Sequence, residues 1–176
     1  MIKRLFAATL LSLFTIGNVY ADRPEAGDIA VFVTDPFNTN QLGGLNVSTT
    51  SYNIGGFILD DLMVYGGLRG LRASGDNYYA FNVGSRFYLD IFDSPIRTFV
   101  DGNLSYASED VDGLDAEIIT LGGFAGAELF LAPRASLAIR VGVTASKVDV
   151  EAGTAMDNDT NVFNIGATDV VLNVYF

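Results

Sequence analysis

The chain is predicted to be all-β, folded as one eight-stranded antiparallel up-and-down barrel, and three observations predict it. The last stretch, Asp169-Val170-Val171-Leu172-Asn173-Val174-Tyr175-Phe176, places Val170, Leu172, Val174 and Phe176 on one parity and Asp169, Asn173 and Tyr175 on the other. That is a strand with one apolar and one mostly polar face. Chain ends are normally loose, so a strand running to the final residue is expected to have another strand closing against it. Seven further stretches read as strands, all but one of them alternating clearly, and the connections between them alternate in length. No helical period of useful length competes.

The chain opens with Met1-Ile2-Lys3-Arg4, an apolar run from Leu5 to Ile16, and Gly17-Asn18-Val19-Tyr20-Ala21. A short basic end, about a dozen apolar residues and a small residue after a Val-x-Ala step are the features of a secretory signal peptide. The run is too short for a comfortable span, which needs roughly 20 residues. The expected division is a signal peptide over 1–21 and a single barrel domain over 22–176. Two of the 10 basic residues lie in the signal, so the remainder carries 8 against 21 acidic residues. That balance argues against nucleic acid as a partner, because phosphate binding needs Lys/Arg patches. Cys and His are both absent, so no disulfide supports the fold. Hydrophobic residues make up 49% of the chain. With no spanning helix after the signal, they must be hidden in alternating strands.

The first strand is expected over 28–34, with Ile29, Val31 and Val33 on one face. Asp35-Pro36-Phe37-Asn38-Thr39-Asn40 breaks it with turn formers. The second, over 45–58, has muddled parity and interrupting glycines. Leu59-Asp60-Asp61 turns into a strand over 62–72, where Leu62, Val64 and Leu68 oppose Tyr65 and Arg69. The strand over 77–89 sets Tyr79, Phe81, Val83, Phe87 and Leu89 against Tyr78, Asn82, Gly84, Arg86 and Tyr88. After a short connection containing Pro95, the strand over 97–107 sets Val100, Leu104 and Tyr106 against Asp101, Asn103 and Ser105. An acidic loop is expected over 108–115. The strand over 116–131 sets Ile119, Leu121, Ala125, Ala127, Leu129 and Leu131 against Thr120, Gly122, Gly126 and Glu128. Pro133 turns the chain into 135–150, where Leu137, Ile139, Val141 and Val143 oppose Ser136, Arg140, Gly142 and Thr144. A last loop over 151–160 leads to the strand 161–176, whose parity slips near Ile165 and Gly166, as at a bulge. Turns near Asp60, Asp93 and Pro133 then fall on one side, and connections near Asn38, Gly75, Asp112 and Asp157 on the other, as a closed even-stranded barrel requires.

The polar face decides which way the barrel is built. A face turned to water would be dense in Lys, Glu and Asp. This one is Gly, Ser, Thr, Asn and Tyr, with Arg69, Arg86, Asp101, Glu128, Arg140 and Asp169 as its few charges. Its glycines (Gly67, Gly84, Gly122, Gly126 and Gly142) suit a crowded interior. The apolar face carries Tyr79, Phe87, Tyr106 and Phe176 near strand ends, as in interfacial girdles. The expectation is a transmembrane β-barrel with its apolar face in lipid. The alternative orientation is a soluble periplasmic lipocalin-like barrel around a lipophilic ligand.

Signal peptide, eight strands, short turns alternating with longer loops, and the ending Val174-Tyr175-Phe176 together resemble the small bacterial outer-membrane barrels of the OmpA-transmembrane-domain and OmpX type. The resemblance is architectural and covers 22–176. It implies a Gram-negative outer-membrane location, contact with outer-membrane lipid and lipopolysaccharide, and insertion by the outer-membrane assembly machinery, which reads the terminal strand and its aromatic, here Phe176. It also implies a monomer. The outer loops are short for the adhesive members of the class, and no peptidoglycan-binding domain follows.

Charges inside a bilayer-embedded protein are costly unless paired. Parity lets Arg86 meet Asp101 around the turn near Asp93, and Glu128 meet Arg140 around Pro133. Eight strands leave room for side chains only, so a lumen plugged by ion pairs is favoured over a narrow channel for small solutes. The loop Glu109-Asp110-Val111-Asp112-Gly113-Leu114-Asp115 and the cluster Asp157-Asn158-Asp159 lack the spacing of a calcium loop and read as solvated acidic loops. With neither His nor Cys, no Ser-His or Cys-His nucleophile pair can be assembled. The expectation is therefore a non-enzymatic barrel in a structural or surface-interaction role, with no cofactor, metal or catalytic residue.

Overall fold

The two ends of the described chain close the barrel on each other. In the computed structural model the Ile29 N–H donates to the Phe176 carbonyl at 3.1 Å, and the Phe176 N–H to the Ile29 carbonyl at 2.9 Å. The structure describes residues 24–35, 39–42, 45–48, 50–73, 76–89, 96–111, 114–152 and 156–176. The segment expected to be a signal peptide lies outside them.

Ten strands follow in order: β1 (Ile29–Thr34), β2 (Thr39–Leu42), β3 (Leu45–Ser48), β4 (Ser51–Leu59), β5 (Leu62–Ala73), β6 (Asp76–Leu89), β7 (Ile96–Val111), β8 (Leu114–Ala132), β9 (Ala135–Ala152) and β10 (Met156–Tyr175). Eight of them form one closed antiparallel barrel in the order β1-β10-β9-β8-β7-β6-β5-β4, while β2 and β3 pair in a separate hairpin. The strand expected over 45–58 is thus divided. Its first part pairs backward with β2, and only Ser51 onward joins the barrel.

The acidic segments are also corrected. β7 and β8 stay paired out to Val111↔Leu114, and β9 and β10 out to Ala152↔Met156. Residues expected to form loops therefore continue the ladders; their polar residues fall on both parities of the sequence, so the alternation that marks the other strands is missing there. The wall becomes uneven. β7 to β10 run 16 to 20 residues, whereas β1 has 6 and β4 has 9. About 9–11 residues suffice to cross a bilayer. The bulge expected near Ile165 is present: the β9–β10 register shifts between Ile165 and Ala167, and Gly166 takes φ +83°.

Parity sorts the side chains. Tyr52, Leu68, Tyr79, Leu121, Phe163 and Ile165 are more than 60% exposed on the outer wall. Inside, Phe32, Phe57, Met63, Tyr65, Tyr88, Phe99, Val171 and Tyr175 form one buried cluster. The luminal glycines make room for rings. A Cβ on Gly142 would sit 2.7 Å from Phe124 Cα, and one on Gly122 2.6 Å from the Phe124 ring. Small residues on two neighbouring strands thereby let a large one lie flat across the lumen.

Candidate functional site

The lumen carries a chain of alternating charges. At its centre Arg86, fully buried, donates from Nε to Asp101 Oδ2 at 3.1 Å, and its Nη1 lies 3.7 Å from Glu128 Oε2. The two Nη atoms make no hydrogen bond. The guanidinium instead rests on the Phe99 ring at 4.1 Å, with Phe32 at 5.5 Å, and a ring face attracts a cation. Asp101 also accepts from Tyr65 Oη at 2.7 Å and from Arg140 Nη1 at 2.9 Å. Arg140 in turn donates from Nε to Asp169 Oδ2 at 2.6 Å and lies over the Phe124 ring. The sequence Glu128, Arg86, Asp101, Arg140, Asp169 thus joins five strands by ion pairs. Desolvated charges need such saturation, since each costs several kcal/mol if left alone.

Toward the short turns the lumen is lined by buried rings and hydroxyls around Glu128. The fully buried Glu128 accepts from Tyr88 Oη at 2.8 Å, and from the hydroxyls of Tyr175 and Ser136. Asn173 Nδ2 donates to Ser136 Oγ at 2.9 Å. Phe57 stacks on Tyr88, and Phe130 on Tyr175. Arg97 covers the Tyr88 ring at 4.2 Å and pairs with Asp61 at 3.0 Å.

Toward the long hairpins the lumen opens into a cavity of about 230 Å³. Arg140 and Asp169 lie at its base, Asn82, Asn103, Ser105, Thr120 and Thr144 line it, and Arg69 and Asp35 border it. No group of three or more His, Cys, Asp or Glu placed to hold a metal occurs among the described residues. The side chains of the 109–115 loop and of Asp157 to Asp159 lie outside them.

Five of the six predicted luminal charges therefore meet in one network. Arg86 and Asp101 stand directly opposite in register. The expected Glu128–Arg140 pair does not form. Register sets Arg140 opposite Gly126 and Glu128 opposite Ala138; Glu128 takes Arg86 and three hydroxyls as its partners, while Arg140 takes Asp101 and Asp169. Arg69 joins no ion pair among the described residues, and its buried Nε has no hydrogen-bond partner. Sequence reading missed Asp35, Asp61, Arg97 and the three tyrosines as partners. Arg97 and Phe99 share the parity of Asp101, which was the available signal. Of the terminal residues, Val174 and Phe176 face outward and Tyr175 is buried inside.

No protein-family profile matches the chain, and no curated protein matches it. Among solved structures it is similar to the N-terminal β-barrel domain of Pseudomonas aeruginosa OprF (13% identity, TM-score 0.46, 85% of this chain and 96% of that one). It is also similar to Neisserial surface protein A (17%, 0.44, 85% and 94%) and to outer membrane protein AlkL in lipid bilayers (14%, 0.49, 92% and 95%).

Proposed function

We propose that the chain is an integral outer-membrane barrel with a structural or surface-interaction role, its lumen plugged by ion pairs. The observation that carries this reading is the inversion of its two faces. Large apolar side chains cover the outer wall, and Arg86, Asp101 and Glu128 are buried within. A monomer in water rarely exposes apolar patches beyond a few hundred Å², whereas a bilayer requires such a band. Outward aromatics fall in two groups: Phe87 and Phe176 toward the short turns, and Tyr79 with the Phe81–Tyr106 ring pair toward the hairpins. Lipid and lipopolysaccharide are the partners such a wall fits. The outward Val174 and Phe176 are the residues a membrane assembly machinery would read. The reading is non-enzymatic and monomeric.

The second reading, a narrow channel for small solutes, draws on the hairpin-side cavity. Conductance of single barrels in a planar bilayer separates the two. The plugged barrel gives no steady unitary current, because the Glu128 and Arg86 tiers close the path. Steady, voltage-independent openings in the wild type would overturn the plug in favour of the channel.

A further inference from the structure

The deep charges of the lumen are paired with one another, and two shallower ones are not. Arg69, on the inward face of β5, forms no ion pair among the described residues and holds a buried Nε without a hydrogen-bond partner. Asp35, at the end of β1 and 9% exposed, accepts the Val170 N–H at 3.1 Å on Oδ1 and adjoins the Asp169 side chain. Among the described residues no cation lies within ion-pair distance of it. Both residues border the same cavity of about 230 Å³. Only β4 separates their strands, so their backbones stand about 10 Å apart, two strand spacings.

We propose that this cavity binds a small zwitterionic solute, its carboxylate on Arg69 and its ammonium group on Asp35. A simple anion would meet Arg69 but be repelled by the adjoining Asp35 and Asp169 carboxylates. A simple cation would meet those carboxylates but be repelled by Arg69 and Arg140. A molecule carrying both charges satisfies both walls, and a partly buried charge gains most from a partner where water is limited. The rest of the lining is neutral and polar. Asn103, Ser105 and Thr144 offer donors and acceptors without adding charge. The network at the base is already saturated, with Arg140 held by Asp101 and Asp169, so it does not compete for the ligand. This site rests on the barrel reading above.

The test uses the full barrel, refolded in lipid nanodiscs, and follows the side-chain amide signals of Asn82 and Asn103 by NMR. The probes are L-alanine, acetate and methylammonium. Alanine shifts these signals saturably, and acetate and methylammonium bind about 10- to 100-fold more weakly, the loss of one charge-assisted contact. Arg69→Gln and Asp35→Asn, the latter keeping its acceptor for Val170, each weaken alanine by a similar factor. Absence of a saturable alanine shift, acetate binding as tightly as alanine, or unchanged alanine affinity in Arg69→Gln would overturn the site. A spectrum without the dispersed signals of a closed barrel would bring down the barrel reading itself, and the site with it.

Discussion

Replacing Arg86 with Ala tests the luminal network at its centre. Arg86 is the only cation within ion-pair distance of Glu128 among the described residues, and it shares Asp101 with Arg140. Removing one member of a buried pair costs about 3–5 kcal/mol, because the partner charge stays desolvated. Here Asp101 retains Arg140 and Tyr65, and Glu128 retains three hydroxyl donors. The lower end of that range, about 3 kcal/mol, is therefore the electrostatic part. Loss of stacking on Phe99 adds about 1 kcal/mol. With a urea slope of about 2 kcal/mol per M, a total of about 4 kcal/mol moves the unfolding midpoint down by about 2 M. The assay is reversible urea unfolding of the refolded barrel in lipid vesicles. Combining Arg86→Met with Glu128→Gln recovers part of the loss, since removing both charges spares the desolvation of either. A midpoint for Arg86→Ala within about 0.5 M of wild type, outside the usual error of such extrapolations, would refute the reasoning.

Further outcomes follow from register and packing. A double-mutant cycle on Arg140 and Asp169 yields a coupling of about 1–3 kcal/mol, while the same cycle on Arg140 and Glu128, which meet only through Arg86 and Asp101, yields a smaller one; equal couplings would contradict the observed partners. Gly142→Ala places a Cβ 2.7 Å from Phe124 Cα and costs about 1–3 kcal/mol in the same urea assay. Gly123→Ala, with nothing within 4 Å of the new Cβ, stays within about 0.5 kcal/mol of wild type. In a planar bilayer, Arg86→Ala combined with Glu128→Ala conducts small ions where the wild type does not, because two fully buried luminal side chains are gone; a silent double variant would mean that the rings alone close the lumen.

Local alternation made much of the architecture legible. Strand β10 could be read from Val170 to Phe176 by parity alone, its bulge from the slip at Gly166, and the Arg86–Asp101 pair from one hairpin. What stayed hidden depends on closure and cross-section. Arg140 also reaches Asp101 because β9, β8 and β7 curve round a common axis, and no single hairpin reveals that, whereas its other partner, Asp169, stands directly opposite it in the β9–β10 hairpin. Phe32, Phe57, Phe99 and Phe124 occupy polar parity, where a ring looks misplaced until Arg86 and Arg140 are seen resting on Phe99 and Phe124. The hairpin extensions past Ala107 and Val150 give no strand signal in the sequence because their polar residues fall on both parities. The β2–β3 hairpin was merged with β4 for a related reason: its short, polar, glycine-flanked strands carry little periodic signal.

Electrophoresis of the outer-membrane fraction, with and without boiling, tests the central claim most directly. A closed barrel with an apolar wall and a packed lumen resists detergent until heated. The protein is expected in that fraction, migrating differently in the unboiled and boiled lanes. Recovery as a water-soluble periplasmic protein with identical migration in both lanes would contradict it.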